Sequence, residues 1–481
     1  MNRTCRKPGA DRRRVGSRCA ATLLAGALLA GCAVGPRYQP PSIDAPGQWQ
    51  GAAARSADLE DAQWWRAFGD PQLDALVQRA LEANHDLRMA ALRVQQARAI
   101  RASTAGGAYP SADLGAGARR QRFSGNGPDP VAFIPGQSLN QHGYRMGLDL
   151  AWELDLFGHT RRQVEAADAR VEQSAALARG TGLMVSAEVA AAYFELRGLQ
   201  RRLAITADNI ALQRSTVELV ERQLGAGLVS EFDLDRARAQ LQRTRAQLPE
   251  LRGQRGALAN RLAVLLARTP GEVANSLFSS APPALPPRRI PAGLPSEVLQ
   301  RRPDVMAAER ALAAATADIG VATAALFPRF SLTAGLGRAS SHSDNWLGSA
   351  SETYGLGVGL DWPVFAGGAL RADIQVAEAR NSEAALRYEQ VVLQALAEVE
   401  TALLRYSESL NARAELDRAS DTSARVVRLA RRRYEEGVTG FLDVLDAERE
   451  LRRAEDQLAR AETESLLQLV ALYRALGGGW S

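Results

Sequence analysis

Asp443 and Asp446 follow the glycine-bounded turn Gly437-Val438-Thr439-Gly440 at a spacing of three. On a helix that spacing sets both carboxylates on neighbouring positions of one face. Their chemistry is electrostatic. Carboxylates around an opening favour cations and repel anions, while an acid in a first helical turn also steadies that helix end by about 0.3–1 kcal/mol. Cys32 is the other group with chemistry open to it, a thiol at the end of Leu29-Ala30-Gly31-Cys32. The rest of the chain offers no HExxH, no CxxC and no GxGxxG between strand and helix. His85, His142, His159 and His342 are scattered, and the five methionines do not cluster. An enzyme is therefore not expected, nor a metal site or a bound cofactor.

The amino terminus decides the compartment. An arginine-rich stretch precedes a short apolar run from Cys19 to Leu29. That run is too short for an anchored helix, which needs about 20 residues, and has the form of a secretory signal. The tetrapeptide ending at Cys32 resembles the bacterial lipobox, whose cysteine is acylated and becomes residue one. Cys5 and Cys19 then leave with the leader, and the mature chain keeps no free thiol. Ala33 after the cysteine, rather than Asp, implies passage to the outer membrane.

Charge agrees with that division. The 481 residues carry a formal net charge of +5. Residues 1–31 hold seven Lys/Arg against one acid, and the remainder has 52 basic and 53 acidic side chains. Lys7 is the sole lysine, so arginine supplies every mature basic side chain. Acids are interleaved with those arginines, which argues against a nucleic-acid partner.

Fixed offsets show two copies of one pattern. Tyr109-Pro110 and Asp86 recur as Phe327-Pro328 and Asp304, 218 residues on. Tyr144, Trp152, Gly227, Asp233, Ala237 and Leu241 recur 210 residues on as Tyr354, Trp362, Gly437, Asp443, Ala447 and Leu451. The segments are a leader (1–31), a lipidated extended segment (32–59), a first repeat (60–268), a Pro-rich linker (269–295), a second repeat (296–476) and a tail (477–481). Within each repeat a helical run leads to a hairpin. Asp70–Ala105 and Pro303–Ala325 are those runs. Thr160–Leu224 and Ala369–Glu436 are predicted long helices of about 100 Å. Return helices follow over Ser230–Ala267 and Phe441–Leu476. The fold class is mainly α with a small β part.

Strands are predicted at about 111–122, 144–156, 329–340 and 354–364. Tyr144, Met146, Leu148, Leu150, Trp152, Leu154 and Leu156 share one face, and the charged and glycine positions share the other. Their length and terminal aromatics match membrane-barrel strands, although a half-buried soluble sheet alternates equally well. Four strands cannot close a barrel, since open edges are not tolerated in hydrocarbon and the smallest membrane barrels have eight. Two, three or four copies would give 8, 12 or 16 strands.

An ordered set of motifs resembles the TolC-like outer membrane factors, in their NodT-type, OprM-like lipoprotein branch. The set comprises Cys32-Ala33-Val34-Gly35-Pro36-Arg37-Tyr38, Trp64-Trp65 with Phe68-Gly69-Asp70-Pro71-Gln72-Leu73, Trp152 to Gly158, Arg301-Arg302-Pro303-Asp304-Val305, Tyr434 to Asp446, and Ala475 to Trp480. It covers roughly 32–481. The resemblance implies a homotrimer whose twelve-stranded transmembrane barrel continues into a long periplasmic helical barrel. It implies a passive exit duct for small molecules, drugs foremost, served by a periplasmic membrane-fusion adaptor and an inner-membrane pump of the resistance-nodulation-division type. It implies N-acyl and diacylglyceryl lipid on Cys32, embedded in outer-membrane lipid.

The resemblance also matches Asp443 and Asp446, with Tyr434, to the periplasmic gate. The tips Gly227-Leu228-Val229-Ser230 and Gly437-Val438-Thr439-Gly440 are the expected adaptor contacts. The family's latch arginine falls at Thr439 here, so the closing bonds must differ. Arg431, Arg432 and Arg433 could substitute by pairing with acids, or form a solvated face. Other readings are a duct for type I protein secretion, a trimeric autotransporter-like adhesin and a structural coiled-coil lipoprotein. The adhesin would group its strands at the C-terminus, whereas here helices separate two hairpins.

Overall fold

The computed structural model describes residues 33–42, 46–49, 63–126, 138–272 and 295–478. Cys32, the leader, most of the linker and Trp480 lie outside the described residues.

One pattern runs twice along the chain. Helices α1 (Pro71–Ala83) and α2 (His85–Gly106) lead into strands β1 (Ser111–Arg122) and β2 (Asn140–Leu154), then helices α3 (His159–Gly225) and α4 (Glu231–Leu265). The second round is α5 (Pro295–Arg301), α6 (Pro303–Ala324), β3 (Arg329–Ser340), β4 (Glu352–Asp361), α7 (Ala369–Glu435) and α8 (Phe441–Ala475). The two long helices α3 and α7 have 67 residues each. No described helix is long and apolar enough to cross a membrane.

Two compact units divide the chain. The first takes in the residues up to Pro40, Gln95–Glu172 and Arg310–Leu386. It contains an antiparallel sheet of order β1-β2-β3-β4. Leu114, Leu148, Leu336 and Tyr354 form one rung, while the next, Asp113, Asp149, Gly335 and Gly355, points to the other face. Leu114, Leu336, Tyr354 and Leu356 are exposed. Among the described residues, the outer edges of β1 and β4 pair with nothing.

Two strands differ from expectation at both ends. β2 begins at Asn140 because Arg122 of β1 carries the ladder that far. β4 begins at Glu352, opposite Arg338, to which it is ion-paired at 3.1 Å. Both strands stop short of 156 and 364 in a tight turn, with Leu156 N donating to Leu154 O and Val364 N to Trp362 O, each 2.8 Å. Trp152 and Trp362 donate their indole N–H to Ala108 O and Leu326 O at 3.0 and 3.1 Å, the same contact in each repeat.

The second unit takes in Pro41–Val94, Gln173–Glu309 and the chain from Arg387 onward. Its core joins Trp64, Trp65, Phe68, Leu73, Val77, Tyr193, Phe194, Leu262, Leu469 and Tyr473. Trp64 stacks on Tyr473 at 5.3 Å. Asp70 caps α1 by accepting from the amides of Gln72 and Leu73, and its other oxygen accepts from Tyr193 Oη at 2.6 Å. Where α3 meets α8, Gly198 leaves room for Thr463, which a Cβ would strike.

The helical run expected over Asp70–Ala105 is broken. Asn84 ends α1 and starts α2, its Oδ1 accepting from the amides of Asp86 and Leu87. Its Nδ2 donates to Leu265 O at 3.0 Å, at the end of α4. A tertiary bond thus selects the break, and helical periodicity alone does not reveal it. Arg302 occupies the equivalent break before α6.

Candidate functional site

Within the second unit, each long helix turns into its return helix through one device. Gly227 and Gly437 have φ of +72° and +70°, which an L side chain resists. Leu228 N donates to Gln223 O at 2.9 Å and Gly227 N to Leu224 O at 2.9 Å. Val438 N donates to Arg433 O and Gly437 N to Tyr434 O at 2.8 and 3.0 Å. This is the Schellman closure of a helix end. It presents Leu228 and Val438 outward, 74% and 61% exposed. Val229 turns inward and packs against the apolar cluster that runs between the two helices of this tip. Thr439, the equivalent residue, is half-buried, and its hydroxyl is buried with no hydrogen-bond partner among the described residues. Of the expected contact residues, Val229 and Thr439 therefore face the interior, while Gly227, Leu228, Ser230, Gly437, Val438 and Gly440 are exposed.

The two tips differ at the next helix start. Ser230 and Asp233 form a reciprocal capping box on α4, Ser230 Oγ receiving the Asp233 amide and the Asp233 carboxylate receiving the Ser230 amide and hydroxyl. At α8 the cap is Gly440, with no side chain to offer. Asp443, the counterpart of Asp233, is exposed, and its carboxylate has no hydrogen-bond partner among the described residues. Asp446 is also exposed and pairs with Arg449 at 2.8 Å. The two acids share one turn of α8.

Tyr434 holds the second tip to the first repeat. Its hydroxyl donates to Gln223 Oε1, and its ring lies 5.7 Å from that of Phe441. Burial raises its pKa, which the Gln223 bond partly offsets and the charge of Asp233 reinforces. Of the three expected latch arginines, Arg431 crosses to α8, where Nη2 meets Glu448 Oε1 at 2.6 Å. Thr216 of α3 donates to the same oxygen at 3.3 Å. Glu448 is only 4% exposed. Pairing of Arg431 with an acid was one of the two readings of the sequence, but its meeting Glu448 together with Thr216 of α3 was not foreseen. One signal was present, since Phe441, Val444 and Glu448 recur at helical spacing, which places a charge on an apolar stripe. Among the described residues no cluster of His, Cys, Asp and Glu could hold a metal ion.

A doubled pattern of helix, hairpin, long helix and return helix, with an open-edged sheet and paired helical tips, has known counterparts. The family described as outer membrane efflux protein matches residues 76–268 and 294–478. The chain belongs to that family. It is 33% identical over 465 residues to the solvent efflux pump outer membrane protein SrpC of Pseudomonas putida, covering 94% of this chain and 97% of that protein. It is 32% identical over 457 residues to the cation efflux system protein CusC of Escherichia coli, covering 94% and 96%. The solved outer-membrane channel OprN superposes with a TM-score of 0.85 at 39% identity, covering 93% of this chain and all of that one. The fold is that of these channels, and the protein is an outer-membrane efflux channel.

Proposed function

We propose that the chain is the exit duct of a tripartite efflux system. It assembles as a homotrimer, receives cargo from an inner-membrane pump of the resistance-nodulation-division type through a periplasmic adaptor, and passes it outward without catalysing a reaction. The observation that carries this reading is the four-stranded sheet with an apolar face and two edges that are unpaired among the described residues. In hydrocarbon those edges must be closed by further copies, and three copies give twelve strands. Lipid on Cys32 anchors the mature chain in the outer membrane.

The helical tips are the adaptor surface in this reading, with Leu228 and Val438 as apolar anchors. Asp443 and Asp446 set the charge of the entrance, six carboxylates in a trimer, and Tyr434 with Gln223 holds it shut. The names of the relatives include both a solvent pump and a cation system. Cargo is accordingly chosen upstream of the duct, and small molecules, drugs among them, are the proposed class here.

Detergent extraction of the outer membrane tests the assembly. A heat-modifiable band of three chains is expected, with adaptor and pump recovered after mild cross-linking. Monomers that conduct no ions in planar bilayers would refute the duct.

A further inference from the structure

Residues 33–38 contact the first unit in ways a loose tether would not. The Val34 amide donates to Phe157 O at 3.2 Å, just beyond β2. Arg162, in the first turn of α3, returns the contact. Its Nε donates to Val34 O at 3.0 Å and its Nη2 to Gly35 O at 3.1 Å. Its Nη1 is held by Glu165 at 2.8 Å. The Arg162 side chain is 4% exposed. A guanidinium so buried is costly unless its donors are filled. Two of the three acceptors here are main-chain carbonyls of the N-terminal segment. Such bonds fix the path of the chain whatever side chains it carries.

The surroundings are emptied of side chains to admit that path. Gly35 has φ of +89°, and a Cβ there would lie 2.5 Å from Gly320 Cα. Gly158 has φ of +85°, and a Cβ there would lie 2.8 Å from Ala33. A Cβ on Gly320 would meet the stem of Arg162 at 2.9 Å. Further along, the Arg310 guanidinium lies over the Tyr38 ring at 5.5 Å, and Tyr38 packs against Ala169, Ala313 and Ala314.

We propose that Arg162 is a positioning residue for the acylated N-terminus. By clamping the carbonyls of Val34 and Gly35, it makes the lipid on Cys32 enter the bilayer beside the β2–α3 junction, so that anchor and sheet share one membrane depth. The inference rests on the lipidation of Cys32 given under Proposed function. Cys32 directly precedes Ala33 in the sequence, and consecutive Cα atoms of a chain lie about 3.8 Å apart, so holding Val34 and Gly35 limits where the lipid can attach. Phe157 and Phe327 stack 4.7 Å apart at the same junction, and Trp152 and Trp362 lie at this end of the sheet, where tryptophan favours the membrane–water interface. Retention in a membrane needs only a flexible tether, whereas a clamp sets the register of the anchor against the sheet.

With Cys32 acylated the mature chain has no other thiol, so an Arg37→Cys variant takes a single nitroxide label. The assembled full-length protein in phospholipid vesicles should give a broad, immobilised spectrum. In Arg162→Ala and in Gly35→Ala the lines should narrow to the nanosecond motion of a free terminus, while the heat-modifiable band persists. Arg162→Lys, which cannot reach both carbonyls as a fork does, should fall between. Gly35→Ala keeps the arginine and carries the same reading if Arg162→Ala fails to assemble. Identical spectra in parent and variants would overturn the clamp. A purely structural role would lower the yield of assembled protein and leave the line shape of the remainder unchanged. Mass spectrometry of the N-terminal peptide separates the two claims: a Cys32 without lipid, itself carrying nitroxide, overturns the anchoring role, and the packing is then read from Arg37→Cys in a Cys32→Ser background.

Discussion

The guanidinium of Arg302 donates to the main-chain oxygen of Ala475 at 2.8 Å. Asn84 makes the corresponding bond to Leu265 in the first repeat, at 3.0 Å. The donors are 218 residues apart and the acceptors 210, the same offsets that relate the repeats in sequence. Each bond ties the break between two short helices to the end of its return helix. The two repeats have kept the contact and changed the side chain. Arg302 has also gained Asp304 and Glu398, each at 2.7 Å. Burial opposes its charge, yet these two acids raise its pKa above the ordinary guanidinium value.

Removing either donor should loosen its return helix. Arg302→Met leaves a buried carbonyl unpaired and should cost about 2–3 kcal/mol. Asn84→Ala also loses a helix cap and should cost about 1–2 kcal/mol. Far-ultraviolet circular dichroism during heating in detergent reads both, as unfolding rates if the transition is irreversible. Equal melting of Arg302→Met and parent would show that the bond carries no weight.

Acidification should erase the contribution of Asp304. Burial pushes its carboxyl up, but the bond and charge of Arg302 prevail and hold it below the ordinary 3.8. A depressed carboxyl stabilises the fold fully above its unfolded pKa and loses that effect as pH falls through the folded value. The melting gap between parent and Asp304→Asn should be constant from about pH 7 to 5 and close below about pH 4. Because the carboxylate is half-exposed, solvent screening keeps the gap small. A gap that widens on acidification would contradict the assignment.

The entrance carboxylates separate charge from capping. Asp443→Asn with Asp446→Asn keeps hydrogen-bonding groups at the start of α8 and removes both charges. In planar bilayers this variant, like the double alanine variant, should lower the cation-over-anion permeability ratio. Gly440→Ser should allow the capping box seen at Ser230, adding a few tenths of a kcal/mol and leaving both charges in place. Its selectivity should stay near that of the parent. Unaltered selectivity in both double variants would remove these aspartates from the entrance.

Adaptor coupling is expected to depend on the exposed apolar residues of the tips. Leu228→Asp with Val438→Asp should abolish cross-linking to the adaptor and restore drug susceptibility. The tip turns themselves are made by main-chain bonds and the two glycines, so oligomer yield should not change. Coupling that survives both charges would place the adaptor elsewhere.

Much of this was legible in the sequence, wherever structure follows from local periodicity. Alternation along Tyr144–Leu154 located β2, and the absence of Pro and Gly from 369–435 located α7. The glycines at 227 and 437 located both tips. What escaped depends on contacts between distant segments. Nothing within Asp70–Ala105 announces a break at Asn84, because its partner lies 181 residues away. The spacing of Phe441, Val444 and Glu448 puts that acid on an apolar stripe, but only α3 and α7 bring Thr216 and Arg431 to it. Nothing in the sequence pairs Tyr434 with Gln223, 211 residues away.

The two unpaired edges of the sheet have a genetic consequence. A subunit whose β4 edge cannot pair spoils the ring it joins, whatever the quality of its neighbours. Co-expressing such a subunit with the intact chain should reduce working channels as a power of the intact fraction. The exponent is the number of chains in one ring, so a dose series of a single crippled allele would count the copies without isolating the assembly.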